Sequence, residues 1–233
     1  RMAEACELYC GNPNSSHSLG QTSRAAIEKA RRTIASQFSC QPGEIVFTAS
    51  ATESNFIALW GHWLERSRAF PDRKKILVSS LEHSSVHENL LFLQERFGAE
   101  ILWLPLTSTG LIDLEKTEKL LRTELISFCA AIGAHNETGV IQPWEELASL
   151  CKEAKIPFHS DLVQCVGRLP VQLNQSAVST ATLSFHKVGG PKGVGILYIR
   201  DQTKIEAMLR GGSQEKKRRA GTENILAIVG AEA

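Results

Sequence analysis

The segment SFHKVGGPKGVG, residues 184–195, ends an apolar run with a histidine and a lysine and follows them at once with glycines and a proline. Such turn residues reverse the chain just past the pair, so His186 and Lys187 are presented at an edge rather than spread along a helix face. An amine placed there can attack a carbonyl and hold it as a Schiff base, although a strand end carrying ordinary surface polarity reads the same way. Asp161 closes a second apolar run, IPFHSD, residues 156–161. A carboxylate at a buried strand end is costly unless it meets a cation or a strong donor. It either caps the chain that follows or faces a protonated heterocyclic nitrogen.

A third group suits an anion. In ASATES, residues 49–54, Ser50 and Glu53 have the spacing of a capping box and open a helix at about Thr52. The free amides and dipole of that helix end can bind phosphate, or the motif can be a plain cap. Lysine, aspartate and a phosphate cradle together describe what pyridoxal phosphate requires: an amine for its aldehyde, a carboxylate for its ring nitrogen and donors for its phosphate. Ser184 and His186 are then phosphate donors, and His83 in LEHSS can lie against the ring. Asn136 and Gln164 are candidate donors to the ring hydroxyl, or ties for loop backbone. Two nucleotide readings fail, because GGPKGVG lacks the P-loop frame and Gly193-Val194-Gly195 is not continued as G-x-G-x-x-G.

These residues need a scaffold that brings distant segments together. Seven short apolar runs read as strands: 44–48, 75–79, 100–105, 125–132, 156–161, 180–185 and 195–200. Between most of them apolar residues recur at three- and four-residue spacing, which predicts helices over 21–39, 53–66, 84–97, 113–123 and 143–154. Alternation of this kind makes an α/β fold: a mostly parallel sheet with helices on both faces, in three layers. Ligands in such sheets bind beyond the carboxyl ends of the strands, and every candidate above follows a predicted strand.

Composition sets the bounds. The chain has 233 residues, 42% of them apolar and 22% charged, with a net charge of +1. That balance fits a soluble globular domain and argues against nucleic acid or an anionic membrane as partner. The longest apolar stretches fall well short of a membrane span, and residue 1 does not open a signal peptide. Six cysteines without a C-x-x-C pair suggest neither zinc nor a disulfide framework, no metal site is expected, and a reducing cytoplasm fits. Each cysteine is expected to be a buried apolar residue, Cys165 with the least certainty because it adjoins the polar cluster. The EKKRR run, residues 215–219, reads as a solvated basic loop. The chain opens without Met or a recognisable first element, and an apolar helix pattern is still running from Ile225, which suggests a piece of a longer protein.

The motifs GNPNSSH (11–17), FTASATES (47–54), LEHSSV (81–86), HNETGVIQP (135–143), HSDLVQCVGRLP (159–170), SFHKVGGPKGVG (184–195) and RRAGTEN (218–224) occur here in the order known from one family. Through them the chain resembles the cysteine desulfurases of the class V aminotransferase group, fold-type I pyridoxal phosphate enzymes. The resemblance implies that residues 1–233 are the large cofactor-binding domain, incomplete at its start and without the small C-terminal domain. That domain would carry a mobile-loop cysteine and an arginine for the substrate carboxylate, so the resemblance further implies that this chain alone binds cofactor without turnover. It implies that Lys187 bonds the cofactor aldehyde, Asp161 pairs with the ring nitrogen, His83 stacks on the ring and takes part in catalysis, and Gln164 bonds the ring hydroxyl. Ala51, Thr52, Ser184 and His186 would hold the phosphate, Asn136 would lie near the hydroxyl and the substrate carboxylate, and Thr222 would reach the phosphate of a second subunit in a homodimer. The implied activity takes sulfur from L-cysteine, leaves alanine, and passes persulfide to an acceptor such as an iron–sulfur scaffold protein. A cysteine or selenocysteine lyase, an aminotransferase, and a non-catalytic cofactor-binding scaffold are the alternatives. The chain departs from the family pattern at Ser50, where glycine is usual, at His135, where asparagine is common, and at Leu162-Val163 after the aspartate.

Overall fold

The computed structural model describes residues 2–233; Arg1, and with it the reading of the extreme terminus, lies outside them. All seven predicted strands form: β1 Ile45–Thr48, β2 Lys75–Val78, β3 Glu100–Trp103, β4 Ile126–Ile132, β5 Phe158–Asp161, β6 Thr180–Leu183 and β7 Gly195–Ile199. They make one sheet in the order β1-β7-β6-β5-β4-β2-β3. Pairing is parallel from β6 through β3, whereas β7 runs antiparallel to both β6 and β1. The β4 sequence ISFCAAI is buried at every position, as a strand covered on both faces must be.

Successive residues of that strand point to opposite layers. Phe128 and Ala130 join Ile76 and Val78 against α3 (Ala51–Ala69) and α4 (Ser84–Phe97). Cys129 and Ala131 join Leu77 in the layer covered by α2 (Ser18–Gln37), α6 (Trp144–Glu153) and α7 (Ile225–Ala231). With α5 (Leu114–Thr123), these are the helices the spacing predicts, shifted by a few residues at their ends. Strand ends also shift: Glu44 closes a 3-10 turn at Pro42–Glu44 rather than opening β1, because its carboxylate accepts from Gln41 N at 2.8 Å and from Asp201 N at 2.9 Å.

Two expectations are corrected. The chain does have an opening element, α1 (Met2–Leu8), which buries only Ala5 and leans Met2 on Gly230 of α7. One buried residue in two turns leaves no periodicity to read. The EKKRR run is not a solvated loop. Glu215 is buried and takes a bidentate ion pair from Arg31 at 2.7 and 2.8 Å while accepting from Phe47 N at 3.0 Å. Arg31 also donates to Ile45 O at 2.8 Å. The outer edge of β1, which would otherwise present bare amides and carbonyls, is thereby closed by side chains. Only Lys216 and Lys217 of the run are exposed.

Under α3 a neutral histidine packs into the sheet. The His62 ring stacks on Phe128 with centroids 5.7 Å apart, and its Nε2 lies 2.9 Å from Thr180 Oγ1. Burial, then His159 and Arg66 nearby, hold its pKa down to about 3. An unfolded histidine protonates near its ordinary value, so stability carried by the neutral ring is present above about pH 6.5 and is lost as pH falls toward 3. His62→Gln is therefore expected to cost less at pH 5 than at pH 7, by about 2 kcal/mol. Urea titrations of both proteins at the two pH values check this, and an unchanged difference contradicts it.

Candidate active site

Because β7 opposes both its neighbours, β1 points the same way as β6, β5, β4 and β2. Their carboxyl ends share one rim, where the protein forms a cavity of about 380 Å³. Ala51, Thr52, His83, Asn136, Asp161, Gln164, Ser184, His186 and Lys187 all line it. Thr222 does not; it is exposed in the loop before α7.

One end of the cavity is built for an anion. Ser50 caps α3, its Oγ accepting from Glu53 N at 3.1 Å, as the spacing predicts. The return leg falls one residue early: Glu53 Oε2 accepts from Ala49 N at 2.7 Å and leaves Ser50 N alone. No protein acceptor among the described residues takes the Ala51 or Thr52 amide. Two bare amides at the positive end of a 19-residue helix face the cavity. Beside them Ser184 Oγ lies 2.8 Å from His186 Nδ1, and burial, then Lys187 and Lys192, lower the His186 pKa. Gly195 packs so closely under this cap that a Cβ there would stand 2.3 Å from Ser50 C. Arg219 donates to Glu53 at 2.7 Å and ties the RRAGTEN segment to the same cap.

At the other end lies Asp161, 5% exposed. Of its two sequence readings, the cap is the one seen in the hydrogen bonds. Its Oδ1 accepts from Val163 N at 3.0 Å, as a turn cap, and its Oδ2 accepts from Asn55 Nδ2 at 2.8 Å. An ionised carboxylate accepts about four hydrogen bonds, so lone pairs remain for a cationic donor in the cavity. Burial raises the Asp161 pKa, while the bonds from Asn55 and Val163 and the charges of His83 and Lys187 oppose the rise. Glu82, buried under the rim and bonded by Ile132 N, is pushed well above the carboxyl range by burial and by Asp161. Of the two acidic side chains, Asp161 is the one that lines the cavity.

Lys187 sits in the 3-10 turn His186–Val188, whose end is Gly189 at φ +89, a conformation that glycine adopts without strain. This answers why glycines follow the lysine. The left-handed residue stops the turn there, and Arg168 Nη2 holds the Lys187 carbonyl at 3.1 Å while the amine stays exposed on the cavity wall.

Sequence reasoning passes over three residues of the site. Asn55, Ser85 and His159 are buried polar groups around Asp161 and His83. The available clue is the run TESN, which puts Asn55 one helical turn past Ala51 and on the sheet-facing side of α3.

The cysteines divide. Cys129, Cys151 and Cys165 are buried and Cys40 is half-buried, whereas Cys6 and Cys10 are exposed on and just after α1, against the expectation of burial, because that helix covers so little. Burial and the Asp161 charge push the Cys165 thiol up to about 12. Such a thiol is a poor nucleophile. Cys165→Ser in the whole protein is expected to leave turnover within about twofold and to lower stability by about 1–3 kcal/mol for the buried hydroxyl. A large loss of activity at unchanged stability, measured side by side, contradicts this.

The family model described as Aminotransferase class-V matches residues 1–233. Cysteine desulfurase IscS of Dictyoglomus turgidum is 44% identical over 220 residues, covering 94% of this chain and 55% of that protein. Cysteine desulfurase of Homo sapiens is 38% identical over 226 residues, covering 95% and 48%. Among solved structures, one described as a NifS-like protein superposes with a TM-score of 0.92 at 37% identity over 99% of this chain and 63% of its own. Another, described as SspA in complex with cysteine, gives 0.91 at 33% identity over 99% and 66%. The chain thus spans about half the length of the curated relatives it matches.

Proposed function

We propose, from the premise that this chain belongs to the class-V aminotransferase family, that its cavity serves a cysteine desulfurase. The cofactor of this family is pyridoxal 5′-phosphate, and the residues present fit it: two bare helix amides with Ser184 and His186 for the phosphate, Asp161 for the ring nitrogen, Lys187 for the aldehyde. The observation that carries the reading is this placement of an amine, a carboxylate and an anion cradle around one cavity. When bound, the group supplies an electron sink for negative charge at the substrate's α-carbon.

The chain's own residues do the rest. Asp161 keeps the ring nitrogen's proton in place, and Lys187 carries a proton to and from substrate carbon. His83 lines the cavity and would lie against the bound ring, while Gln164 and Asn136, also in the lining, would orient its polar groups. In the whole protein an enzyme thiolate attacks the sulfur of L-cysteine: the S–S bond forms, the C–S bond breaks, and the carbon takes up a proton. L-Cysteine plus enzyme thiol then gives L-alanine plus enzyme persulfide. L-Cysteine as substrate is supported by the cysteine-bound structural relative, and desulfurase activity by the relatives' names. Transfer of the persulfide to an acceptor such as an iron–sulfur scaffold completes the proposal, as does a homodimer in which exposed Thr222 reaches the neighbouring cavity. Six unpaired cysteines support a reducing setting such as the cytoplasm, and no helix among the described residues is long and apolar enough to cross a membrane.

The test is product analysis of the intact protein with L-cysteine and a thiol reductant. Alanine and sulfide in equal amounts are expected. A 2-oxo acid in place of alanine moves the assignment to an aminotransferase, and no product moves it to a cofactor-binding scaffold.

A further inference from the structure

Behind the cavity a continuous hydrogen-bond chain runs through the core. His62 Nε2 meets Thr180 Oγ1 at 2.9 Å, Thr180 Oγ1 meets His159 Nδ1 at 3.0 Å, and His159 Nε2 meets Asn55 Oδ1 at 3.1 Å. Asn55 Nδ2 then donates to both Asp161 Oδ2 and Ser85 Oγ at 2.8 Å, and Ser85 Oγ lies 2.8 Å from His83 Nδ1. Every link between is buried.

The chain has one consistent placement of protons, and Asn55 fixes it. The Asp161 carboxylate accepts, so the amide nitrogen must face it and the amide oxygen must face His159. His159 therefore carries its proton on Nε2 and leaves Nδ1 bare. Thr180 must donate to that bare nitrogen, so its oxygen accepts from His62 Nε2–H. His62 Nδ1 is then a buried lone pair, and it is the ring atom found without a partner. In the other direction Ser85 Oγ is filled by the Asn55 donor, and its own proton has one remaining acceptor, His83 Nδ1. Ser85 N donates to the same atom at 3.1 Å. Burial independently keeps His62 and His159 neutral, each with a pKa of about 3.

We propose that Asn55 is a positioning residue that couples Asp161 to His83 through Ser85, so that His83 is held with Nδ1 as acceptor and presents Nε2–H to the cavity. A donor of fixed direction is thereby set in the cavity wall by Asn55, which does not itself line the cavity, acting through Ser85, which does. Asn55 does this from inside α3, the helix whose first amides form the anion cradle, so cradle, carboxylate and histidine share one rigid body. The ordering concerns the polypeptide alone. Its functional meaning rests on the proposed cofactor site, which borohydride trapping at Lys187 tests separately.

The experiment is long-range proton–nitrogen spectroscopy of histidine-labelled intact protein, with and without pyridoxal phosphate, the signals assigned through His83→Gln and His159→Gln. Neutral Nε2–H patterns are expected for His62, His159 and His83 near pH 8 in both forms. An Nδ1–H or imidazolium pattern at His159 overturns the ordering. In Asn55→Asp the Ser85 hydroxyl turns toward the new carboxylate and sets its lone pair against His83 Nδ1. The Nδ1–H to Nε2–H ratio of His83 should rise roughly tenfold, as loss of one ordinary hydrogen bond allows. An unchanged ratio in folded protein overturns the coupling, since a merely structural asparagine would leave His83 untouched. If that variant does not fold, Ser85→Ala decides: the His83 Nδ1 resonance should move part of the way toward an unbonded imine nitrogen, since the Ser85 N–H bond at 3.1 Å remains, and no movement overturns the proposal.

Discussion

Lys187→Ala is expected to abolish borohydride-fixed colour and, in the whole protein, to lower the proposed alanine formation from L-cysteine by a factor of roughly 10²–10⁴, the range for removing a positioned acid–base group. The structure predicts a clean result. Lys187 is exposed on the cavity wall, and its turn is held through backbone by Arg168 and Gly189, so the side chain can be cut without loosening the loop. Absorption spectra after dialysis, with and without borohydride, make the measurement. A variant that still fixes colour transfers the role to another amine, with Lys192 on the same wall the next to replace.

Asp161→Ala is expected to cut turnover roughly 10²–10³-fold at saturating cofactor, as removal of one preorganised electrostatic partner does. Stability should change by no more than about 2 kcal/mol in either direction. Relief of a desolvated carboxylate offsets the loss of two hydrogen bonds, from Asn55 and Val163, and the freed donors lie beside a cavity that water can enter. Turnover and unfolding midpoint measured on the same preparation separate the two roles. Full activity would reduce Asp161 to the turn cap that its bond to Val163 N also makes it.

The strands and most of the helices were legible because burial on two faces writes long apolar runs, as in ISFCAAI, and because amphipathic helices repeat every three or four residues. The residues of the candidate site were legible for a related reason. Parallel sheets collect ligands at strand ends, and Asp161, Ser184 and Lys187 stand there in one dimension as they do in three. What stayed hidden depends on partners far along the chain. Glu215 looks solvated among four cations until Arg31, 184 positions away, is placed beside it. Asn55 sits inside a helix rather than at a strand end, and His159 lies within a strand, so neither position marks them as parts of the site. The seven residues of α1 bury too little to leave a pattern.

Strand β1 has one strand partner among the described residues, β7, and the two are joined only after most of the chain has been laid down between them. On the ribosome, Val46 and Phe47 must therefore wait through roughly ten to thirty seconds of synthesis before a partner strand exists for them. The middle of the sheet, β2 to β6, can form in that interval from nearer contacts, whereas the cap over Ser50 cannot be braced until Gly195 arrives beneath it. The cap of α3 is thus among the last parts of the molecule to take shape, and nascent chains stalled before residue 195 would carry Lys187 and Asp161 without the seat proposed for the phosphate. Nonlocal pairing of this kind slows folding and leaves an apolar strand edge open meanwhile.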